Sequence, residues 1–164
     1  MSDDVQLIDA ALLDRVLARA EASPRRRTNH NFHAGPEDNP HRFLNVMMRD
    51  TYVPPHRHVT PPKPEAFLVL RGVATVIVWT EEGRVRERHR LGDGGPLGID
   101  LAAGLWHSVL IESDHAVIYE VKPGPWDPST DKDFASWAPR EGDPEAVTFM
   151  ERLRRGDADF SDAE

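Results

Sequence analysis

The chain has 164 residues, 28 of them acidic and 20 basic, with a formal charge of −8, eight histidines and no cysteine. At roughly 100–200 residues per domain this is the length of one domain, able to bury about 70% of its unfolded surface. The acidic balance speaks against a dedicated nucleic-acid binder, whose affinity would come mainly from cations on phosphate. The lack of cysteine excludes disulfide frameworks, thiolate metal sites, iron–sulfur clusters and cysteine nucleophiles.

No apolar run approaches the roughly 20 residues that a membrane helix needs, and Met1-Ser2-Asp3-Asp4 lacks the positive start of a signal peptide. A soluble cytoplasmic protein is expected, with neither membrane nor nucleic acid as partner. In chain order, residues 1–22 read as a helix, because Val5, Ile8, Leu12 and Val16 recur at three- and four-residue steps. Asp3 or Asp4 is placed to cap it, and Ser23-Pro24 ends it. Residues 23–42 read as an extended arm, with Arg25 to Arg27, the polar run Asn29 to His33 and a turn-rich Gly35 to Pro40.

Residues 43–122 change to short strands between turn residues. The expected strands are Leu44 to Val53, Ala66 to Leu70, Val73 to Thr80, Arg84 to Leu91, Gly98 to Leu101, His107 to Ile111 and Ala116 to Val121. Such spacing predicts an antiparallel sandwich or barrel. Residues 123–155 form an irregular aromatic segment and a last helix starting at Asp143, with Pro144 in its first position. Residues 1–155 are thus one domain, and 156–164 read as an acidic, frayed tail.

The chemistry is concentrated in histidine. In an extended chain, His56 and His58 point to the same side, two residues apart. Glu65 opens the next strand, and His107 follows a turn at Gly104 and opens another. Three imidazoles and a carboxylate suit a divalent Fe, Mn, Co, Ni or Zn ion. An isolated His-x-His arises often by chance; its combination with Glu65, with Gly72 and with Gly104-x-x-His107 is what points to metal.

These residues resemble the cupin superfamily. Its first motif matches His56, His58, Glu65 and Gly72, and its second matches Ala102, Gly104 and His107. More narrowly, the chain resembles the WbuC family of cupin-fold metalloproteins. The likeness is carried by Asn29 to His33, Tyr52 to His58, Val69 to Gly72, Trp106-His107-Ser108, Glu120 to Pro125, Thr130-Asp131-Lys132 and Trp137-Ala138-Pro139. It implies a mainly β, single cupin (jelly-roll, antiparallel β-barrel) domain with an N-terminal and a C-terminal α-helix, holding one divalent metal through His56, His58, Glu65 and His107. It also implies an association with surface polysaccharide, and so a sugar or sugar-nucleotide ligand. Cupins often dimerise through an edge strand or a terminal arm, which makes a homodimer the oligomer to look for. The chain departs from the general pattern at Asp50, Ala102 and Ile111. The gap of six residues between His58 and Glu65 is also longer than usual, which puts the position of Glu65 in question.

Beyond the ligands, Asn29 and Asn31 of the arm are candidates to meet a substrate. Arg42 and Asn45 from the first barrel strand, and Tyr119 and Lys122 from the last, are candidates to enter the cavity. His30 and His33 are candidates for acid–base work, because histidine titrates near neutral pH. Arg84, Arg86, Arg88 and Arg90 alternate along one strand as either an anion-binding stripe or a solvated face. Three functions stay open: a metal-dependent oxygenase or isomerase, a metal-free sugar epimerase using a histidine base and a tyrosine acid, and a metabolite-binding regulatory module without catalysis.

Overall fold

A computed structural model describes residues 5–161. Helix α1 spans Ala10–Ala22 and buries Leu12, Leu13, Val16 and Ala20 along one face. Its cap is Asp9, whose carboxylate accepts from the Leu12 amide at 2.8 Å. The helix therefore starts later than the hydrophobic spacing predicts. Val5, Leu7 and Ile8 precede it and are exposed, while Asp3 and Asp4 lie outside the described residues.

Ten strands follow: β1 (Arg27–Asn31), β2 (His41–Met48), β3 (His56–Arg57), β4 (Glu65–Arg71), β5 (Ala74–Trp79), β6 (Val85–Leu91), β7 (Gly98–Leu101), β8 (His107–Ile111), β9 (His115–Lys122) and β10 (Asp133–Phe134). Helix α2 (Glu145–Arg155) closes the order. The strands form two five-stranded antiparallel sheets, ordered β1-β2-β9-β4-β7 and β10-β3-β8-β5-β6. They face each other as a jelly roll, and among the described residues no ladder joins the sheets into a closed barrel.

The alternation of the strands divides the apolar residues into three layers. Met47, Phe67, Val76, Val78, Leu101 and Ile118 fill the space between the sheets. Leu44, Val46, Met48 and Val117 face the other way, beneath α1. Ile77, Trp79 and Leu110 pack outward against Phe149 and Leu153 of α2. Both faces of β5 are covered in this way, which explains its unbroken apolar run.

Three departures from the sequence expectation follow from local chemistry. The arm contains β1, paired along its whole length with β2 from Arg27↔Met47 to Asn31↔Phe43. Its residues are almost all polar, so hydrophobic alternation gives no sign of it. The expected Leu44–Val53 strand ends at Met48. The end of the chain is not frayed through Ser161: Gly156 takes the left-handed cap of α2, and Phe160 is 0% exposed. The Val85 amide donates to the Ala158 carbonyl and the Phe160 amide to the Gly83 carbonyl, binding this segment to the start of β6. Residues 162–164 lie outside the described residues. Among the described residues, no helix is long and apolar enough to cross a membrane.

Candidate metal centre

His56 and His107 are register partners across β3 and β8, so both side chains stand on the inner face of that sheet. Their ring centroids are 4.4 Å apart. His58 follows at the end of the short strand, and Glu65 opens β4 on the opposite sheet. One ligand atom from each of the four residues falls within 4.8 Å of all the others, and all four residues are buried. The loop between His58 and Glu65 is folded back by a bridge between Val59 and Pro62. Lys63 anchors it through its ammonium to Asp131 at 2.8 Å and to the Pro125 carbonyl at 2.6 Å. The long gap therefore brings Glu65 into the cluster instead of carrying it away.

Each imidazole is held by its Nδ1. The Pro54 carbonyl accepts from His56 at 2.8 Å and the Leu105 carbonyl from His107 at 3.0 Å; the Asp131 carbonyl accepts from His58. A carbonyl only accepts, so the proton sits on Nδ1 in all three rings, and each Nε2 of a neutral ring presents a lone pair. The Nε2 atoms of His58 and His107 and the Oε2 of Glu65 are buried without a hydrogen-bond partner. Yet His107 Nε2 lies 2.8 Å from Glu65 Oε2, and His58 Nε2 lies 3.2 Å from Glu65 Oε1. Bare donor atoms at such distances repel each other unless a cation lies between them. Ligands about 2.1 Å from an ion and at right angles stand roughly 3 Å apart, so these spacings and the donor set fit a divalent metal. Burial and the Lys132 charge push His56 well below its usual value, which keeps the ring neutral. Burial pushes the Glu65 carboxyl up, but His107, His58 and Lys122 outweigh it and hold the group well below its usual value, as a carboxylate.

The cluster closes one end of a cavity of about 830 Å³, with His56, Glu65 and His107 in its wall. The opposite wall is the inner face of β2 and β9. There Lys122 lies 3.6 Å from Glu65, 3.8 Å from Glu120 and 3.3 Å from Asp131. Burial lowers the Lys122 ammonium, but Glu120 and the other carboxylates more than offset this, and its value is raised. Glu120 accepts from Asn45 Nδ2 at 3.1 Å. Burial, then the Glu65 charge, push the Glu120 carboxyl up to about 7. Lys132 also faces the cavity, where it meets water but is ringed by protein; lost hydration and the Lys122 charge lower its value.

A family model described as a domain of unknown function (DUF6016) matches residues 8–91. The chain belongs to that family. No curated protein matches it. Among solved structures, this DUF6016 chain is similar to the capsular polysaccharide assembling protein CapF from Staphylococcus aureus, with 19% identity and a TM-score of 0.56 over 68% of this chain and 30% of that one. It is similar to the L-ribose isomerase of Cellulomonas parahominis, solved with L-psicose, with 15% identity and a TM-score of 0.53 over 67% and 69% of the chains. It is also similar to the protein TT1209 from Thermus thermophilus, with 21% identity and a TM-score of 0.54 over 73% and 98%. The chain thus spans less than a third of CapF, and these likenesses establish the cupin-like fold.

The DUF6016 fold separates the remaining candidates by strand alternation. Asn29, Asn31, His33, Asn45 and Lys122 line the cavity. His30, one residue out of phase, lies edge-on to Phe32 on the α1 side, where burial and the charges of Arg19 and Arg15 lower its value. It is not placed for acid–base work at the centre. Arg42 is exposed and donates to the Phe32 carbonyl at 3.3 Å, outside the cavity. Tyr119 packs 6.0 Å from Phe32 beneath α1, also outside. His33 sits at the rim with its ring stacked 4.1 Å over His41. The arginine stripe has local partners throughout: Arg84 with Asp159, Arg86 with Glu87, Arg90 with Asp93, and Arg88 with the carbonyls of Leu153 and Asp157. Sequence reasoning misses Glu120, His41 and Lys63. Stepping two residues back along the strand from Lys122 would find Glu120. Asp131 and Lys132 come from a loop that has no periodicity to suggest a role.

Proposed function

We propose that this protein is a WbuC-like divalent-metal cupin that binds Fe, Mn, Co, Ni or Zn through His56, His58, Glu65 and His107 and acts on a small polar metabolite. The observation that carries this is the set of three imidazoles, each locked by an Nδ1–H bond to a backbone carbonyl, with unpartnered donor atoms facing one carboxylate. Hydrogen-bonding and carboxylate partners behind a metal ligand fix its tautomer in this way.

A sugar or sugar nucleotide is the favoured ligand, in keeping with the cavity size, the likeness to an L-ribose isomerase and the likeness to a capsular polysaccharide assembling protein. When bound, the ion would supply Lewis acidity to oxygens of the substrate. The chain's own residues do the rest: Asn29 and Asn31 at the mouth offer amides to hydroxyl groups, and Lys122 holds positive charge beside Glu65. The metal-free epimerase reading needs a tyrosine acid. The chain has two tyrosines; Tyr119 packs under α1, and Tyr52 donates to the Pro139 carbonyl at 2.8 Å on the outer side of the second sheet.

Elemental analysis of protein purified without chelators tests the reading. About one transition-metal ion per chain is expected, falling sharply in His56→Ala, and a thermal-shift screen of sugars, sugar nucleotides and keto acids should find a stabilising ligand. No bound metal, together with unchanged stability of His56→Ala, would overturn it.

A further inference from the structure

The cavity holds a second set of chemical groups facing the metal centre, which the four ligands leave unused. Glu120 is buried on the inner face of β9, in register with Phe43 on one neighbouring strand and Phe67 on the other. Its carboxylate thus stands between two aromatic side chains, with Asn45 Nδ2 on one oxygen and Lys122 Nζ 3.8 Å from the other. The Asn45 Oδ1 is buried and has no hydrogen-bond partner. Lys122 reaches both Glu120 and the metal-facing Glu65. A molecule seated on the centre therefore meets a carboxyl, an unpartnered amide oxygen and an ammonium on its far side.

We propose that Glu120 is the catalytic acid–base of this centre, moving a proton between adjacent oxygen-bearing carbons of a small hydroxy-carbonyl compound, as in an aldose–ketose interconversion. The proposal rests on the metal-centre reading above. In the forward step the C–H bond beside the carbonyl breaks. Its proton passes to the Glu120 carboxylate, and its electron pair forms the C=C bond as the carbonyl oxygen takes the charge. Glu120 then returns the proton to the neighbouring carbon while the hydroxyl proton passes from one oxygen to the other. The product is an isomer of the substrate, so no oxidant, reductant or co-reactant is consumed. The unpartnered Asn45 Oδ1 is placed to accept a substrate hydroxyl. The flanking Phe43 and Phe67 shield the carboxyl from water. The charged and titratable groups around it are Lys122 on its own strand, His41 opposite Lys122 on β2, Glu65 on β4 and Lys132 from the following segment.

The test is solvent exchange by the full chain loaded with Zn²⁺, incubated in D₂O with L-ribose, D-glucose or dihydroxyacetone and followed by proton NMR. Wild-type protein should place deuterium on the carbon next to the carbonyl of at least one of these. Glu120→Gln should slow this by about 10²- to 10⁴-fold with unchanged zinc content. Exchange by Glu120→Gln within threefold of wild type, or no exchange from any probe by zinc-loaded wild type, would each overturn the proposal. Protein that takes up no zinc overturns the metal centre instead, and loss of exchange on Glu120→Gln in that protein still supports the role of Glu120.

Discussion

Asp131 serves His58 with its backbone and Lys63 with its side chain: its carbonyl accepts from the His58 ring and its carboxylate lies 2.8 Å from the Lys63 ammonium. One residue thus fixes the orientation of a ligand and closes the loop that delivers Glu65. Burial raises the Asp131 carboxyl, but Lys122 and Lys63 more than offset this and keep it ionised. Replacing it with alanine leaves the buried Lys63 ammonium without its counter-charge and takes one of three carboxylates from Lys122, which costs about 3 kcal/mol. Chemical denaturation of Asp131→Ala should show that loss. Metal affinity should fall about 10- to 100-fold, the usual effect of disturbing what stands behind a ligand.

Phe160 is a core residue despite standing among acids four residues from the end of the chain. Its ring lies 4.7 Å from Phe149 and 5.3 Å from Trp79, with the Arg152 guanidinium 4.4 Å above it. Phe160→Ala should destabilise the fold by about 3–5 kcal/mol, measured by urea unfolding. Arg86→Ala on the exposed face of β6 should change stability by less than about 0.5 kcal/mol.

Glu120 gives the fold a definite pH dependence. Its carboxyl is raised to about 7 in the folded chain, by burial and then by Glu65, from an ordinary value near 4.3. The folded state therefore binds more protons than the unfolded one between these values, so the contribution of this group falls as pH rises through that window. In metal-free protein, Glu120→Gln should become more stable relative to wild type between about pH 4.5 and 7, by as much as about 3 kcal/mol. Urea midpoints at pH 5, 6, 7 and 8 measure it. A constant difference across the four would contradict a raised carboxyl.

Asn31 and His30 are neighbours with opposite fates. Asn31→Ala should weaken binding of a sugar found by the thermal-shift screen, by about 1 kcal/mol, the worth of one hydrogen bond. His30→Ala should leave that affinity unchanged and cost stability instead. Isothermal titration and urea unfolding of the two variants separate these effects.

The histidine ligands are legible in the sequence because strand geometry sets their spacing: His56 and His58 share a face, and His107 follows its turn. The inner wall is legible only in part. Arg42 with Asn45, and Tyr119 with Lys122, are cavity candidates together by residue type, but residues three apart on a strand face opposite sides. Alternation admits one member of each pair, and the cavity holds Asn45 and Lys122. The strand β1 is hidden because its pairing with β2 is made by backbone groups, which polar side chains do not advertise. Lys63, Asp131 and Lys132 lie on segments without periodicity, where no repeat tells which way a side chain points.

The order of the first sheet also governs how the protein is made. Strand β9 lies between β2 and β4, although it follows them by tens of residues. Strand β2 can pair with β1, and β4 with β7, before then, but the edge that each turns to β9 stays open until residue 122 has been synthesised. His56, His58 and Glu65 are therefore exposed on the nascent chain well before β8 contributes His107 and β9 completes the wall. Pairing over such sequence distances is slow, and unpaired edges of this kind invite association with other chains in the interval. Strand β9 is thus the point at which folding of the sheet and assembly of the site become a single event.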